Sequence, residues 1–286
     1  MSNDSVHTTT KCDYGNVVTS ANLHIIGLCN YRCEHCFDRC LIKEWMEPRD
    51  WIPRLDYLYS IGIRKVNIAG GEPMLYPHLN EMCQLLKSMG FVTSIVSNGS
   101  LMTDEWISHM TGIIDWIGLS IDSPSEKDEV EIGRHMQGVN HIDNIRKLAK
   151  SIKANGIGFK LNITVVRKSW HLDFNPLIDE LRPDRIKVFR ALTLVNANDD
   201  REDSWSISDK QFSDFISRHN HQKNIIFEDN DLMTASYLMF DPIGRWTTND
   251  GYVKQFHPFE QLVSEGMQSK IDVEKFLARD GEYWKK

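Results

Sequence analysis

Four of the six cysteines in this 286-residue chain crowd into "LCNYRCEHCFDRC", residues 28–40. Cys29, Cys33 and Cys36 are separated by three and then two residues, and Cys40 follows. Thiolates bind soft metals, so such crowding points first to a metal. A structural zinc site uses two separated pairs, and no second Cys or His pair lies at a suitable distance. Ferredoxin-type clusters need a fourth thiolate, and the position of Cys40 fits neither common run. Three thiolates could instead hold a 4Fe–4S cluster and leave one iron open to an exogenous ligand, as catalytic zinc keeps one position free. Spacing alone leaves this cluster, an irregular four-thiolate one and metal-free thiols in play.

The elements that must position these thiols follow from the hydrophobic pattern. Short apolar runs at 22–28 ("NLHIIGL"), 65–70, 92–98, 116–122, 159–166 and 185–192 predict strands. Stretches of helical spacing separate them, such as "LNEMCQLLKSMG" and "HIDNIRKLAKSIKANG", which end in the Met-Gly and Asn-Gly of helix C-caps. Six strand–helix repeats predict an α/β fold with a parallel sheet, either a partial barrel or an open doubly wound sheet. The rhythm breaks near residue 195. Beyond an acidic loop, Ser208 and Gln211 predict a capping box, and 225–251 reads as strand, helix or turn, and hairpin.

The length suits one large domain or somewhat more. No apolar run is long enough to span a bilayer, and the first residues lack a signal-peptide pattern. A cytoplasmic location is expected, where clustered cysteines are ligands rather than disulfides. A net charge of −7 argues against a general nucleic-acid binder.

The strands themselves carry a second signal. Buried parallel strands are usually apolar on both faces. Here Arg185 and Lys187 share one face of their strand, as do Lys160 and Asn162, Lys65 and Asn67, and Asn22 and His24. If the apolar faces meet the helices, four strands aim polar groups into one lumen. A buried unpaired lysine is costly, so three lysines and an arginine converging there must meet an anion. They balance the roughly four negative charges of a nucleoside triphosphate, held by charge-assisted bonds. An acidic chain can thus hide a basic pocket.

The Cys29–Cys33–Cys36 spacing after a first strand, with "GGEP" at 70–73 ending the second, resembles the signature of the radical S-adenosylmethionine (radical SAM) enzymes. "TSIVSNGSL" (93–101), "SIDSPSEKDEVEIGR" (120–134), "NHIDNIRKL" (140–148), "FKLN" (159–162), "KVF" (187–189) and "SYLMF" (236–240) follow in order. This set resembles the viperin family of those enzymes, from about residue 20 to "RDGEYW" at 279–284. The resemblance implies a partial (β/α)6 barrel with a C-terminal α+β extension that closes it. Residues 1–20 would be a tail, 21–195 the barrel with the 4Fe–4S site, and 196–286 the extension completing a nucleotide pocket.

It also implies roles. Cys29, Cys33 and Cys36 would hold the cluster, while Gly70, Gly71, Glu72, Asn98, Ser120 and Arg134 surround S-adenosylmethionine. One electron then cleaves the sulfonium to a 5′-deoxyadenosyl radical. Lys65, Asn67, Lys160, Asn162, Arg185 and Lys187 would hold the triphosphate and sugar, with Asn22 toward the base. Tyr237 and Lys160 would serve the chemistry: C4′ hydrogen abstraction, loss of the 3′-hydroxyl, and a 3′-deoxy-3′,4′-didehydro nucleotide that terminates chains in phage defence. CTP, UTP or GTP is the implied substrate, and a flavodoxin- or ferredoxin-type protein the implied electron donor. Departures are the absence of the animal proteins' amphipathic membrane helix, Ala69 where a serine often precedes the glycines, and an Asn22 segment unlike the animal version. Cys12, Cys40 and Cys83 are expected to be structural. Two alternatives stand beside this reading: another radical SAM reaction such as peptide modification, and a non-catalytic iron–sulfur protein. The first is weakened because no cysteine follows Cys83 to hold a second cluster.

Overall fold

Strands β1 (Ser20–His24), β2 (Lys65–Ala69), β3 (Val92–Ser97), β4 (Trp116–Ile121), β5 (Gly158–Val165) and β6 (Arg185–Arg190) run parallel and lie side by side in chain order. They come from a computed structural model that describes residues 17–285, so Cys12 and most of the expected tail lie outside the described residues. Helices α1 (Pro48–Ser60), α2 (Leu79–Ser88), α3 (Asp104–His109), α4 (Glu126–Ile132), α5 (His141–Ala154) and α6 (Asn175–Leu181) connect the strands. The expected partial barrel of repeated strand–helix units is what forms.

Local sequence accounts for the helices. In α5, Asn140 caps the N-terminus by accepting from the Asp143 amide at 2.9 Å. Ile142, Ile145, Leu148 and Ile152 fall on one face and are buried against the sheet, each contributing about 2 kcal/mol. Beyond β6 come α7 (Glu202–Trp205) and α8 (Asp209–His219), where Ser208 and Gln211 form the predicted capping box. The outer sides of the strands, Leu23, Ile68, Ile95, Leu119, Leu161 and Val188, build the core with these helices.

The rest of the chain widens the barrel at both edges. Strand β7 (Ile225–Glu228) adds parallel to β6. After α9 (Asn230–Met233), β8 (Leu238–Phe240) adds parallel to β1, on the opposite edge. β9 (Trp246–Thr248) and β10 (Gln255–His257) follow antiparallel, giving the order β10-β9-β8-β1-β2-β3-β4-β5-β6-β7. The sheet is therefore continuous across residue 195, and the segment beyond it supplies a strand to each side of the opening. Helices α10 (Phe259–Glu265) and α11 (Val273–Ala278) lead to a C-terminal segment that returns under the barrel. Among the described residues no helix is long and apolar enough to cross a membrane.

Candidate active site

Side chains on successive strand residues alternate between faces, so register decides what meets in the lumen. Lys160 pairs with Arg185 and Asn162 with Lys187 across β5 and β6, while Asn22 pairs with Asn67 across β1 and β2. Lys65, Lys160 and Lys187 are all buried, and all three line one cavity of about 310 Å3 inside the barrel. Gly118 on β4 makes room for them: a Cβ there would lie 2.7 Å from Lys160 Cε and 3.4 Å from Asn162 Nδ2. Burial, then Lys187 and Arg185, pushes the Lys160 ammonium down to about 7. Burial likewise lowers Lys187 to about 8, partly offset by Glu228, and lowers Lys65 well below its ordinary value. Such a cluster is strained without an anion.

The thiols sit at the other end, after β1. The Cys29–Cys36 loop is clamped by backbone hydrogen bonds on two sides. The Gly71 and Glu72 amides donate to the Ile26 and Leu28 carbonyls at 2.7 and 2.8 Å, and the Arg32 amide donates to the Gly133 carbonyl at 3.0 Å. Side chains cannot fit at the first clamp, since a Cβ on Gly70 would meet the Ile26 oxygen at 2.4 Å and one on Gly71 the Leu28 oxygen at 2.1 Å. Gly70 also takes a φ of +148°. The paired glycines thus let β2 press against the cysteine loop.

Cys29, Cys33 and Cys36 all line the cavity, and burial raises each thiol, Cys36 to about 12. Unbridged thiols raised in this way are poor nucleophiles but sound ligands, because a bound metal deprotonates them outright. Among the described residues no three His, Cys, Asp or Glu side chains converge on a single ion. Three thiolates that each hold a different iron of a cluster need not converge on one ion. Cys40 does not line the cavity; its thiol donates to the Phe37 carbonyl at 3.4 Å. Cys83 is buried in α2.

Between thiols and lysines lies a ring of tied polar groups. The Glu72 carboxylate accepts from Ser97 Oγ at 2.7 Å and from the Met74 and Asn98 amides at 3.0 and 2.8 Å. Asn98 donates to Asn30 of the cysteine loop at 2.9 Å. Arg134 donates from Nε to Asp122 at 2.6 Å, and Asp122 also lies 3.3 Å from His35. This ring is preorganised, with its donors and acceptors already oriented.

Side chains tie the end of β7 to the residue before β8, although the two strands do not pair. Tyr237, just before β8, donates its hydroxyl proton to Glu228 at the end of β7. Lys187 donates to the same hydroxyl at 3.0 Å and forms an ion pair with Glu228. The Arg279 guanidinium lies 3.7 Å from the Tyr237 ring centroid and donates to the Ser236 carbonyl at 3.0 Å. At the floor, Lys65 donates to Tyr283 at 2.5 Å, so the C-terminal segment seals the barrel's lower end.

The cavity gathers every residue expected from sequence at the thiol, cofactor and substrate positions except one: Arg185. Its guanidinium is spent on the C-terminal segment, donating to the Asp280 carboxylate at 2.5 Å and to the Arg279 and Asp280 carbonyls at 3.2 Å. Arg185 is a clamp behind the wall, and Arg279 takes its place among the cations lining the cavity. Sequence reasoning missed Arg279 because an arginine in an irregular terminal segment shows no periodicity. It missed Glu228 for a related reason, since an acid closing a short strand reads as a solvent-facing end. The Lys254 ion pair with Asp38, at 2.7 Å, joins the extension to the cysteine loop and was equally invisible.

A family model described as the radical SAM superfamily matches residues 23–179. The S-adenosylmethionine-dependent nucleotide dehydratase of Thermoplasmatales archaeon (strain ISO4-H5) is 57% identical over 264 residues, spanning 92% of this chain and 95% of that protein. Those of Flammeovirga pacifica and Danio rerio are 31% and 30% identical, covering 94% of this chain and 97% and 79% of theirs. Among solved structures, anSMEcpe with bound AdoMet and Cp18Cys peptide superposes with a TM-score of 0.67 at 14% identity, over 90% of this chain and 83% of that one. Streptococcus suis SuiB bound to S-adenosylmethionine gives 0.58 at 19%, over 75% and 51%. At such identities these structures share the fold.

Proposed function

This chain belongs to the S-adenosylmethionine-dependent nucleotide dehydratases, the viperin family of radical SAM enzymes, and on that footing we propose that its cavity holds a ribonucleoside triphosphate and forms the 3′-deoxy-3′,4′-didehydro analogue. One observation carries the reading: three buried lysines and Arg279 share a single cavity with the thiols of Cys29, Cys33 and Cys36. A radical enzyme acting on a neutral or peptide substrate has no use for that cluster of cations. The relatives' names favour nucleotide chemistry over both the peptide and the non-catalytic alternatives.

Cys29, Cys33 and Cys36 would hold the 4Fe–4S cluster, and Gly70, Gly71, Glu72, Asn98, Ser120 and Arg134 would surround S-adenosylmethionine. Together these cofactors, when bound, supply a one-electron cleavage and a hydrogen-abstracting radical. Lys65, Lys160, Lys187 and Arg279 bind the phosphates, while Asn67 and Asn162 address the sugar and Asn22 the base. The buried Asn162 Oδ1 has no partner within the protein, as suits an atom waiting for a hydroxyl donor. Lys160, whose buried ammonium yields its proton more readily than an exposed lysine, protonates the departing 3′-hydroxyl. Residues 196–286 complete the pocket by supplying Tyr237, Arg279 and the floor. The closed lumen excludes water from the sugar radical.

A flavodoxin- or ferredoxin-type protein supplies the electrons, and a cytoplasmic location keeps the thiols reduced. The product lacks a 3′-hydroxyl and stops polymerases, which suits a role in phage defence. The test is anaerobic incubation of the cluster-loaded protein with S-adenosylmethionine, reductant and each ribonucleotide in turn. Mass analysis should find a triphosphate lighter by one water, together with 5′-deoxyadenosine. If none of the four ribonucleotides is dehydrated, the proposal fails.

A further inference from the structure

Glu228 is out of place beside a polyanion site. It is fully buried, and its charge repels the phosphates that Lys187 is there to bind. A carboxylate that only packed would be better replaced by glutamine. Its partners show what it does instead. Lys187 is a donor only and the Glu228 carboxylate an acceptor only, so the Tyr237 hydroxyl between them can point its proton one way. The proton faces Glu228, and an oxygen lone pair faces Lys187. In this geometry the phenol cannot hand its proton to a departing sugar hydroxyl.

Resting on the function proposed above, we infer that Glu228 is a positioning residue that accepts the Tyr237 proton, committing the phenol to carry an electron rather than to act as the acid. Abstraction of the C4′ hydrogen leaves a sugar radical, and the 3′ C–O bond breaks as Lys160 donates a proton, releasing water. The resulting radical cation takes one electron from Tyr237, whose O–H bond breaks as an O–H bond forms on Glu228. A second electron from the same one-electron reductant class, flavodoxin or ferredoxin, restores the phenol while the proton returns from Glu228. Solvent reprotonates Lys160. Burial and the Glu228 charge keep the phenol protonated until then. Arg279 against the ring face and the Lys187 bond hold it in register.

Three variants of the cluster-loaded protein test this: Glu228→Gln, Glu228→Asp and Tyr237→Phe. Two quantities are read for each, didehydro product per 5′-deoxyadenosine and, separately, the Kd for CTP by calorimetry without S-adenosylmethionine. Glu228→Gln keeps the size and the hydrogen bond but cannot take the proton. Its product ratio should fall at least tenfold, to the level of Tyr237→Phe, while CTP binds as tightly as before or tighter because a negative charge is gone. Glu228→Asp should recover part of the ratio, and the Glu228→Gln/Tyr237→Phe double variant should be no worse than Tyr237→Phe. A Glu228→Gln protein with the parental ratio overturns the inference. So does one whose CTP affinity collapses, which would mark Glu228 as structural. If the parent itself dehydrates no ribonucleotide, it is the proposed function that has failed, a result distinguishable from either.

Discussion

The depressed lysines make nucleotide binding a proton-uptake reaction, and its size can be worked from the structure. In the free cavity Lys160 titrates at about 7 and Lys187 at about 8. A bound triphosphate favours the charged ammoniums and lifts both values. Raising the pH from 7 to 9 therefore removes protons from the free protein that binding must restore. Lys160 costs roughly 50-fold in affinity over that range and Lys187 roughly tenfold, together about 500-fold or roughly 4 kcal/mol. Lys65, lowered as well, adds to the same trend. The other charged or titratable groups facing the three lysines are Glu228, Tyr237, Arg185, Arg279, Asp280 and Tyr283. Burial raises Tyr237 and Tyr283, so neither phenol ionises in this window. Calorimetry of CTP binding in buffers of different ionisation enthalpy should give an uptake of more than one proton at pH 8. An affinity flat from pH 7 to 9, with no proton uptake, would refute the account of the lumen as a phosphate site poised by lysine repulsion.

The same lysines act with opposite sign on folding. Their folded values lie below the unfolded ones, so the unfolded chain binds more protons near neutrality. The cluster-loaded, nucleotide-free protein should gain about 1–3 kcal/mol of stability from pH 7 to 8 in urea titrations. Cys→Ala at Cys29, Cys33 or Cys36 should abolish reconstitution of iron and sulfide, whereas Cys40→Ala should leave it near normal, since its thiol reaches only the Phe37 carbonyl. Gly118→Val crowds Lys160 Cε and should weaken CTP binding at least tenfold. Arg185→Ala should free the C-terminal segment, losing roughly 1.5–3 kcal/mol of its attachment, and limited proteolysis should then cut there.

Much of this protein was legible before any coordinates. Six apolar runs separated by helical periods dictate a parallel sheet, because parallel neighbours need a crossover of about a helix's length. The period-two placement of Lys65 with Asn67, of Lys160 with Asn162 and of Arg185 with Lys187 dictates which faces are shared, since a strand has only two sides. The local Cys29–Cys36 run and the capping box at Ser208 are likewise short-range matters. What sequence could not decide was anything that depends on where the chain returns. Arg185 alternates correctly with Lys187, yet its charge is taken by Asp280, 95 residues away, which no strand pattern encodes. Arg279 enters the cavity only because the C-terminal segment folds under the barrel. β8 joins β1 while β7 joins β6, and yet Tyr237 and Glu228, 9 residues apart in the chain, meet through their side chains. A proton on the Tyr237 phenol has a direction only once a donor and an acceptor stand on either side of it. That juxtaposition belongs to the tertiary structure alone.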